Sequence, residues 1–152
     1  MIYVHYGANA YDDTKFHPIK NILYRNKPYG GLWASPVTAK NGWKQWCKRE
    51  DFCSCDKKNS FTFKIKKLAK IYYISSHEDC MNMPQVVLDK GIILSDASYP
   101  DFEELVKQGY DIIHFDLTND KSTDWHKNMY FTLYGWDCDC ILVLNKDVIE
   151  VI

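Results

Sequence analysis

The 152-residue sequence lacks several features that would have decided its class at once. There is no charged start followed by an apolar stretch, so no secretory leader is expected. No apolar run is long enough to cross a bilayer. These two absences set the expectation of a cytoplasmic protein without a membrane partner, whose six cysteines stay reduced. Charge of one sign is also missing: the formal net charge is −1, so nothing electrostatic announces a nucleic-acid partner. A local basic run from Lys57 to Lys70 reads as the solvated face of a strand pair. Internal repeats, low-complexity tracts and linkers are absent too, which leaves one domain of 1–152.

What the sequence does have is aromatic side chains, 15% of the total, with eleven Tyr and five Trp. Such a surplus suits a hollow that stacks planar ligands, and equally an aromatic core. Residues 2–6 alternate and are β-branched or aromatic, predicting a first strand that ends at Gly7. Phe16, Ile19, Ile22 and Leu23 are spaced like a short helix or a loop pinned by its apolar residues. The stretch Asn26-Lys27-Pro28-Tyr29-Gly30-Gly31-Leu32-Trp33-Ala34-Ser35-Pro36 combines a fixed torsion at Pro28 with a glycine pair that permits positive φ. It predicts a tight turn feeding a strand over 31–35. A helix follows over about 41–50, with Trp43, Trp46 and Cys47 on one face.

Phe61 to Lys66 alternates as a strand with one wet face, and Leu68 to Ile74 follows closely enough to suggest a hairpin. A helix from Ser76 or His77 is expected to run, interrupted at Pro84, to about Asp89. Asp101 to Gly109 is a well-marked helix. Tyr110 to Leu117 reads as a strand, 119–136 as irregular with a helical turn or two, and Asp139 to Leu144 as a buried strand whose end pairs with Val148 to Ile152. Together these elements predict an α+β domain.

The order of His5 in a first strand, Gly31-Leu32-Trp33-Ala34-Ser35 in a second, Gly42-Trp43 behind it and a carboxylate opening a late strand resembles the ADP-ribosyltransferase superfamily. The likeness is to the branch of diphtheria toxin and the poly-ADP-ribose polymerases. It implies two packed, mostly antiparallel sheets with flanking helices and a cleft for NAD, which is the substrate. The His5-Tyr6-Gly7 segment matches the family's His-Gly strand, and His5 would hydrogen-bond ribose hydroxyls. Trp33 takes the place of a Tyr that lies against the nicotinamide, and Trp43 that of a second stacking aromatic. Gly31, Leu32 and Ser35 fall within the same second-strand motif. Tyr6, Asn21 and Tyr24 are further candidates for the cleft.

By the same resemblance, an acid supports the cationic transition state. Asp137 and Asp139 are expected to share one face of a strand, with Asp139 catalytic and Asp137 helping the incoming nucleophile. The implied reaction is mono-ADP-ribosylation of a macromolecule, a protein more readily than RNA or DNA, as by a toxin or phage effector. The alternative is an inactive module of the same fold that binds a nucleotide or a protein partner.

The residues also bear on two other chemistries. Cys47, Cys53, Cys55, Cys80, Cys138 and Cys140 with five His could serve zinc, but Cys-x-Cys twice without a Cys-x-x-Cys knuckle leads to an expectation of no metal. Alternation is expected to bury Cys138 and Cys140 as small apolar residues. A thiol enzyme with a Cys beside His114 or His126 finds no spacing that selects one.

Overall fold

The computed structural model describes residues 1–86 and 99–152. Its strands are β1 (Ile2–Tyr6), β2 (Leu32–Pro36), β3 (Ser60–Ile65), β4 (Ile71–Ile74), β5 (Ile112–Phe115), β6 (Cys140–Val143) and β7 (Ile149–Val151). Helices α1 (Trp43–Arg49), α2 (His77–Met81), α3 (Phe102–Lys107) and α4 (Met129–Thr132) accompany them. The strands form one seven-stranded mixed sheet in the order β4-β5-β6-β2-β1-β3-β7. Only β4 and β5 run parallel; the other neighbours are antiparallel.

Strand β1 lies inside the sheet, with both its edges used. It pairs with β3 along its whole length, from Ile2↔Lys64 to Tyr6↔Ser60. Against β2 it is registered only at Tyr3↔Pro36 and Val4↔Ser35. Beyond Val4 the two strands are no longer in register, and the sheet has a waist there. The expectation of two packed sheets is therefore corrected, among the described residues, to a single sheet with this waist.

The apolar runs of β5 and β6 are buried on both sides, as unbroken hydrophobic strands must be. Ile113, Phe115, Cys140 and Leu142 belong to one core, with Phe102, Leu105, Met129 and Trp136. Ile112, Ile141 and Val143 turn the other way and pack with Tyr3, Phe61, Phe63 and Val148. Period-two alternation thus divides the interior into two cores with the sheet between them.

Local chemistry fixes the ends. In α3 the Asp101 carboxylate accepts from the Glu104 N–H, and Asn21 accepts from the Phe102 N–H at 2.8 Å, tying the loop before β2 to this helix. Asp111 accepts from the Lys70 N–H and from the Asn145 amide, both at 2.8 Å, so one carboxylate gathers the ends of three strands.

Two expected pairings are corrected. The β3–β4 hairpin does not form: β4 crosses to the far edge of the sheet and pairs in parallel with β5, from Ile71↔Ile112 to Ile74↔Phe115. Strand β7 pairs with β3 rather than with β6. The expected helix from His77 ends at Met81, and the part of it over 87–89 lies outside the described residues.

Candidate functional site

At the waist, where β1 and β2 part, a hollow of about 90 Å³ opens. His5, Trp33, Trp43 and Asp137 line it, with Tyr6 and Ser35 at its side. Four separate parts of the chain supply these residues: β1, β2, the start of α1, and the turn before β6.

His5 is held by its own strand and by its neighbour. Its Nδ1 lies 2.7 Å from the Trp33 carbonyl oxygen, in the space where strand-to-strand pairing stops. A carbonyl only accepts, so Nδ1–H donates, and in the neutral ring Nε2 is left as an acceptor. The ring also packs on Phe61, with centroids 5.1 Å apart.

The Gly30-Gly31 turn aims Trp33. Both glycines have positive φ, +86° and +70°. A Cβ on Gly30 would stand 2.2 Å from the Pro18 carbonyl oxygen, and one on Gly31 2.6 Å from that of Val143. The chain can pass between these carbonyls only without side chains, which is the physical reason for the pair. The Trp33 indole meets Trp136 edge to face at 4.7 Å, and the Lys27 ammonium stands 5.3 Å from its centroid. Gly135 runs beside that lysine with φ +97°, and it is this backbone conformation that favours glycine there, since a Cβ would make only ordinary contact with the Lys27 chain at 3.5 Å.

Trp43 opens α1. Its N–H donates to Ser35 Oγ at 2.9 Å, so the Ser35 hydroxyl caps the helix and fixes where the indole starts. Trp43 stacks on Trp46 at 5.0 Å while also lining the hollow, so helix packing and hollow lining coexist in one residue.

The two acids do not share a face. Asp137 precedes β6, outside the alternating backbone, and lines the hollow with Cys138 and Cys140. Asp139 is buried, does not line the hollow, and accepts from the Leu117 N–H at 2.8 Å. Burial pushes its carboxyl above the ordinary range, against the hydrogen bond from Leu117. Gly7, Gly31 and Leu32 stand outside the lining as well; Leu32 pairs with Val143, and Gly31 serves the turn. Asn21 caps α3, and Tyr24 lies exposed against Tyr99.

Sequence reasoning missed seven lining residues: Val4, Lys27, Ala34, Gly135, Trp136, Cys138 and Cys140. Trp136 is fully buried and its indole N–H donates to the Asn26 carbonyl at 2.6 Å, which ties the turn before β6 to the loop before β2. The available signal was its place beside Gly135, a glycine-aromatic pair like Gly42-Trp43. Cys138 and Cys140 are buried as expected, yet they also face the hollow. A hydrogen bond from Cys140, one with Ser35 and the Lys27 charge pull the Cys138 thiol below its ordinary value despite burial.

A second hollow of about 520 Å³ adjoins the first, sharing Val4, Tyr6 and Ser35 and presenting Lys44 and Lys57. At the edge of the second hollow, which Cys55 also lines, the sulfurs of Cys47, Cys53 and Cys55 lie within 4.8 Å of one another, a convergence that Cys-x-Cys spacing did not signal. The arrangement offers a planar-ring slot with an imidazole, a carboxylate and a thiol, beside a roomier cationic shelf. The chain matches no protein-family model, no curated protein and no solved structure.

Proposed function

We propose that the chain is an ADP-ribosyltransferase-like domain that transfers ADP-ribose from NAD to a macromolecular acceptor, most readily a protein. One observation carries this reading: His5, Trp33, Trp43 and Asp137, distant in sequence, line one hollow at the waist between β1 and β2. A slot of about 90 Å³ suits a nicotinamide ring and not a dinucleotide, since larger ligands occupy clefts of roughly 300–1,000 Å³. The adjoining 520 Å³ hollow, with Lys44 and Lys57, suits the phosphates and the remaining nucleoside.

In this reading the indole faces of Trp33 and Trp43 receive the cationic ring. His5 Nε2 accepts from a ribose hydroxyl. Asp137, in place of the sequestered Asp139, stabilises positive charge as the C1′–N bond breaks. Nicotinamide leaves with the bonding pair, the acceptor's lone pair closes on C1′, and the acceptor's proton passes to solvent.

A second reading, a module that binds a nucleotide or a protein without chemistry, is favoured by the burial of Asp139 and by the Lys27 ammonium already beside the Trp33 ring. Nicotinamide release from NAD, with and without cell-extract acceptors, separates the two. Release that falls in Asp137→Asn supports the enzyme. NAD binding without release in either condition supports the module, and absence of both overturns the nucleotide site.

A further inference from the structure

The loop between α1 and β3 is held by little backbone bonding. Asp51 takes φ +48°, a left-handed conformation that reverses the chain after α1. The Phe52 N–H then donates to the Cys47 carbonyl at 3.0 Å, and the Phe52 ring meets Trp43 and Trp46 edge to face. Among the described residues, no backbone hydrogen bond involves Cys53, Ser54 or Cys55. Yet the chain brings both of these cysteines back to Cys47.

The Cys47 and Cys53 sulfurs are 3.3 Å apart, and all three sulfurs lie within 4.8 Å of one another. Three thiolates around a tetrahedral zinc ion, each at about 2.3 Å, would stand about 3.8 Å apart. The Cys47–Cys53 spacing is about half an ångström shorter than that value, and no pair exceeds 4.8 Å, so small side-chain adjustments reach it. A disulfide between Cys47 and Cys53 requires about 2.05 Å and leaves Cys55 without a purpose in the cluster. It is the third sulfur that distinguishes the two chemistries.

We propose that Cys47, Cys53 and Cys55 form a three-thiolate zinc site. Its fourth position opens onto a solvent-facing hollow of about 510 Å³ that Asp51 and Asp56 also line. Lys44 and Lys48 line the same hollow and offset the net negative charge of one divalent ion on three thiolates. Binding replaces three S–H bonds by three S–Zn bonds and releases three protons to solvent, so the charge balances. Because each thiol must give up its proton to bind, affinity falls as the pH is lowered.

The position gives the ion a consequence for the candidate site. Cys55 lines both the thiol hollow and the 520 Å³ shelf beside Tyr6, and Phe52 packs on Trp43. Closing the loop over zinc therefore fixes one wall of the shelf.

The test uses the full chain, purified reduced and without chelator, and needs no NAD. Elemental analysis should find one zinc per chain. Cobalt exchanged into the site should give the intense thiolate-to-metal charge-transfer absorption of sulfur ligation. Cys53→Ser and Cys55→Ser, at positions more exposed than Cys47, should each lower zinc affinity at least tenfold and weaken that band, while Cys80→Ala leaves both unchanged. Reduced protein that binds neither zinc nor cobalt overturns the site, as does full affinity retained in both serine variants. A Cys47–Cys53 disulfide, with Cys55 alone alkylated in protein isolated from zinc-replete medium, overturns it equally.

Discussion

The imidazole of His5 is fastened to the main chain of Trp33, Nδ1 to carbonyl oxygen at 2.7 Å, across the gap where β1 and β2 stop pairing. A side chain here takes over from a ladder hydrogen bond. The separation of the strands, the orientation of the imidazole and the start of the Trp33 strand are consequently one structural event.

Replacing His5 with Ala should lower stability by about 1 kcal/mol, the usual net worth of one hydrogen bond, read from urea unfolding. The same change should weaken NAD binding by roughly tenfold, since it also removes the Nε2 acceptor. His5→Gln, which can still donate to the Trp33 carbonyl, should recover the stability more fully than the binding. Equal loss of both in the two variants would assign His5 to structure alone.

Asp137 and Asp139 should part company on mutation. Asp139 is buried with a raised carboxyl pKa, chiefly through desolvation. Its folded form holds a proton longer than the unfolded chain does, so its contribution to stability is fully present below the unfolded value and declines as pH rises through the folded one. Asp139→Asn keeps an acceptor for the Leu117 N–H without the charge. It should therefore flatten the stability profile between acid and neutral pH and leave the protein no less stable near neutrality. Asp137→Asn should leave unfolding within about 0.5 kcal/mol of the parent, as a substitution away from the core does. It should lower nicotinamide release by at least tenfold. The crossed result, with Asp139→Asn inactive and Asp137→Asn active, would restore Asp139 to the catalytic role.

These two acids also show where sequence reasoning stops. Strand β1 was legible to the residue because alternation is a local property, and α3 because Asp101, Glu103, Glu104 and Gly109 mark its ends locally. Partnership is not local. Nothing in Ile71–Ile74 says that it pairs with Ile112–Phe115 rather than folding back on Ser60–Ile65. The shared face expected of Asp137 and Asp139 required the strand to include both, but it begins at Cys140. His5, Trp33 and Trp43 were expected together from the resemblance, whereas Lys27 and Trp136 line the hollow through tertiary packing, including the Trp136 bond to Asn26, that no local pattern announces. The thiol trio depended on the left-handed turn at Asp51, which no glycine announced.

The glycines of the turn before β2 should be far less tolerant than Gly109. Alanine at Gly30 or Gly31 meets a carbonyl oxygen at 2.2 or 2.6 Å in addition to its positive φ. The conformation alone accounts for about 1–3 kcal/mol, and the clash adds to it. Gly109 shares the positive φ, but nothing lies within 4 Å of its Cβ position, so Gly109→Ala should show only the conformational part. Thermal unfolding of the three variants checks the order, and equal losses would mean that the turn rearranges freely.

At alkaline pH, Tyr73 should titrate late. The hydrogen bond from its hydroxyl to the Asp116 carboxylate, reinforced by burial, pushes it up to about 12. A phenol bound more tightly to its proton in the folded state gives stability that is complete below the ordinary value of 10.0 and is lost as pH rises through about 12. Burial raises Tyr3 and Tyr72 as well, so ultraviolet phenolate titration should show a late component that shrinks in Tyr73→Phe, and the variant's stability should depend less on pH across that range.

Trp33 and Trp136 are in edge-to-face contact at 4.7 Å, yet their alanine variants should fail in different ways. Trp136 is 1% exposed, donates its N–H to Asn26, and stacks on Phe102 at 6.2 Å. Its removal leaves a cavity in the main core and frees the loop before β2, so Trp136→Ala should lose about 3–5 kcal/mol in urea unfolding. Trp33 is only half-buried, with one face toward Lys27 and the hollow. Trp33→Ala should cost less stability than Trp136→Ala and weaken NAD or nicotinamide binding by at least tenfold. Trp33→Tyr, which keeps a π-face on the same strand, should recover most of that binding. If Trp33→Ala instead binds as tightly as the parent, stacking at this waist is not how a ring is held, and the slot between His5 and Asp137 must serve another ligand.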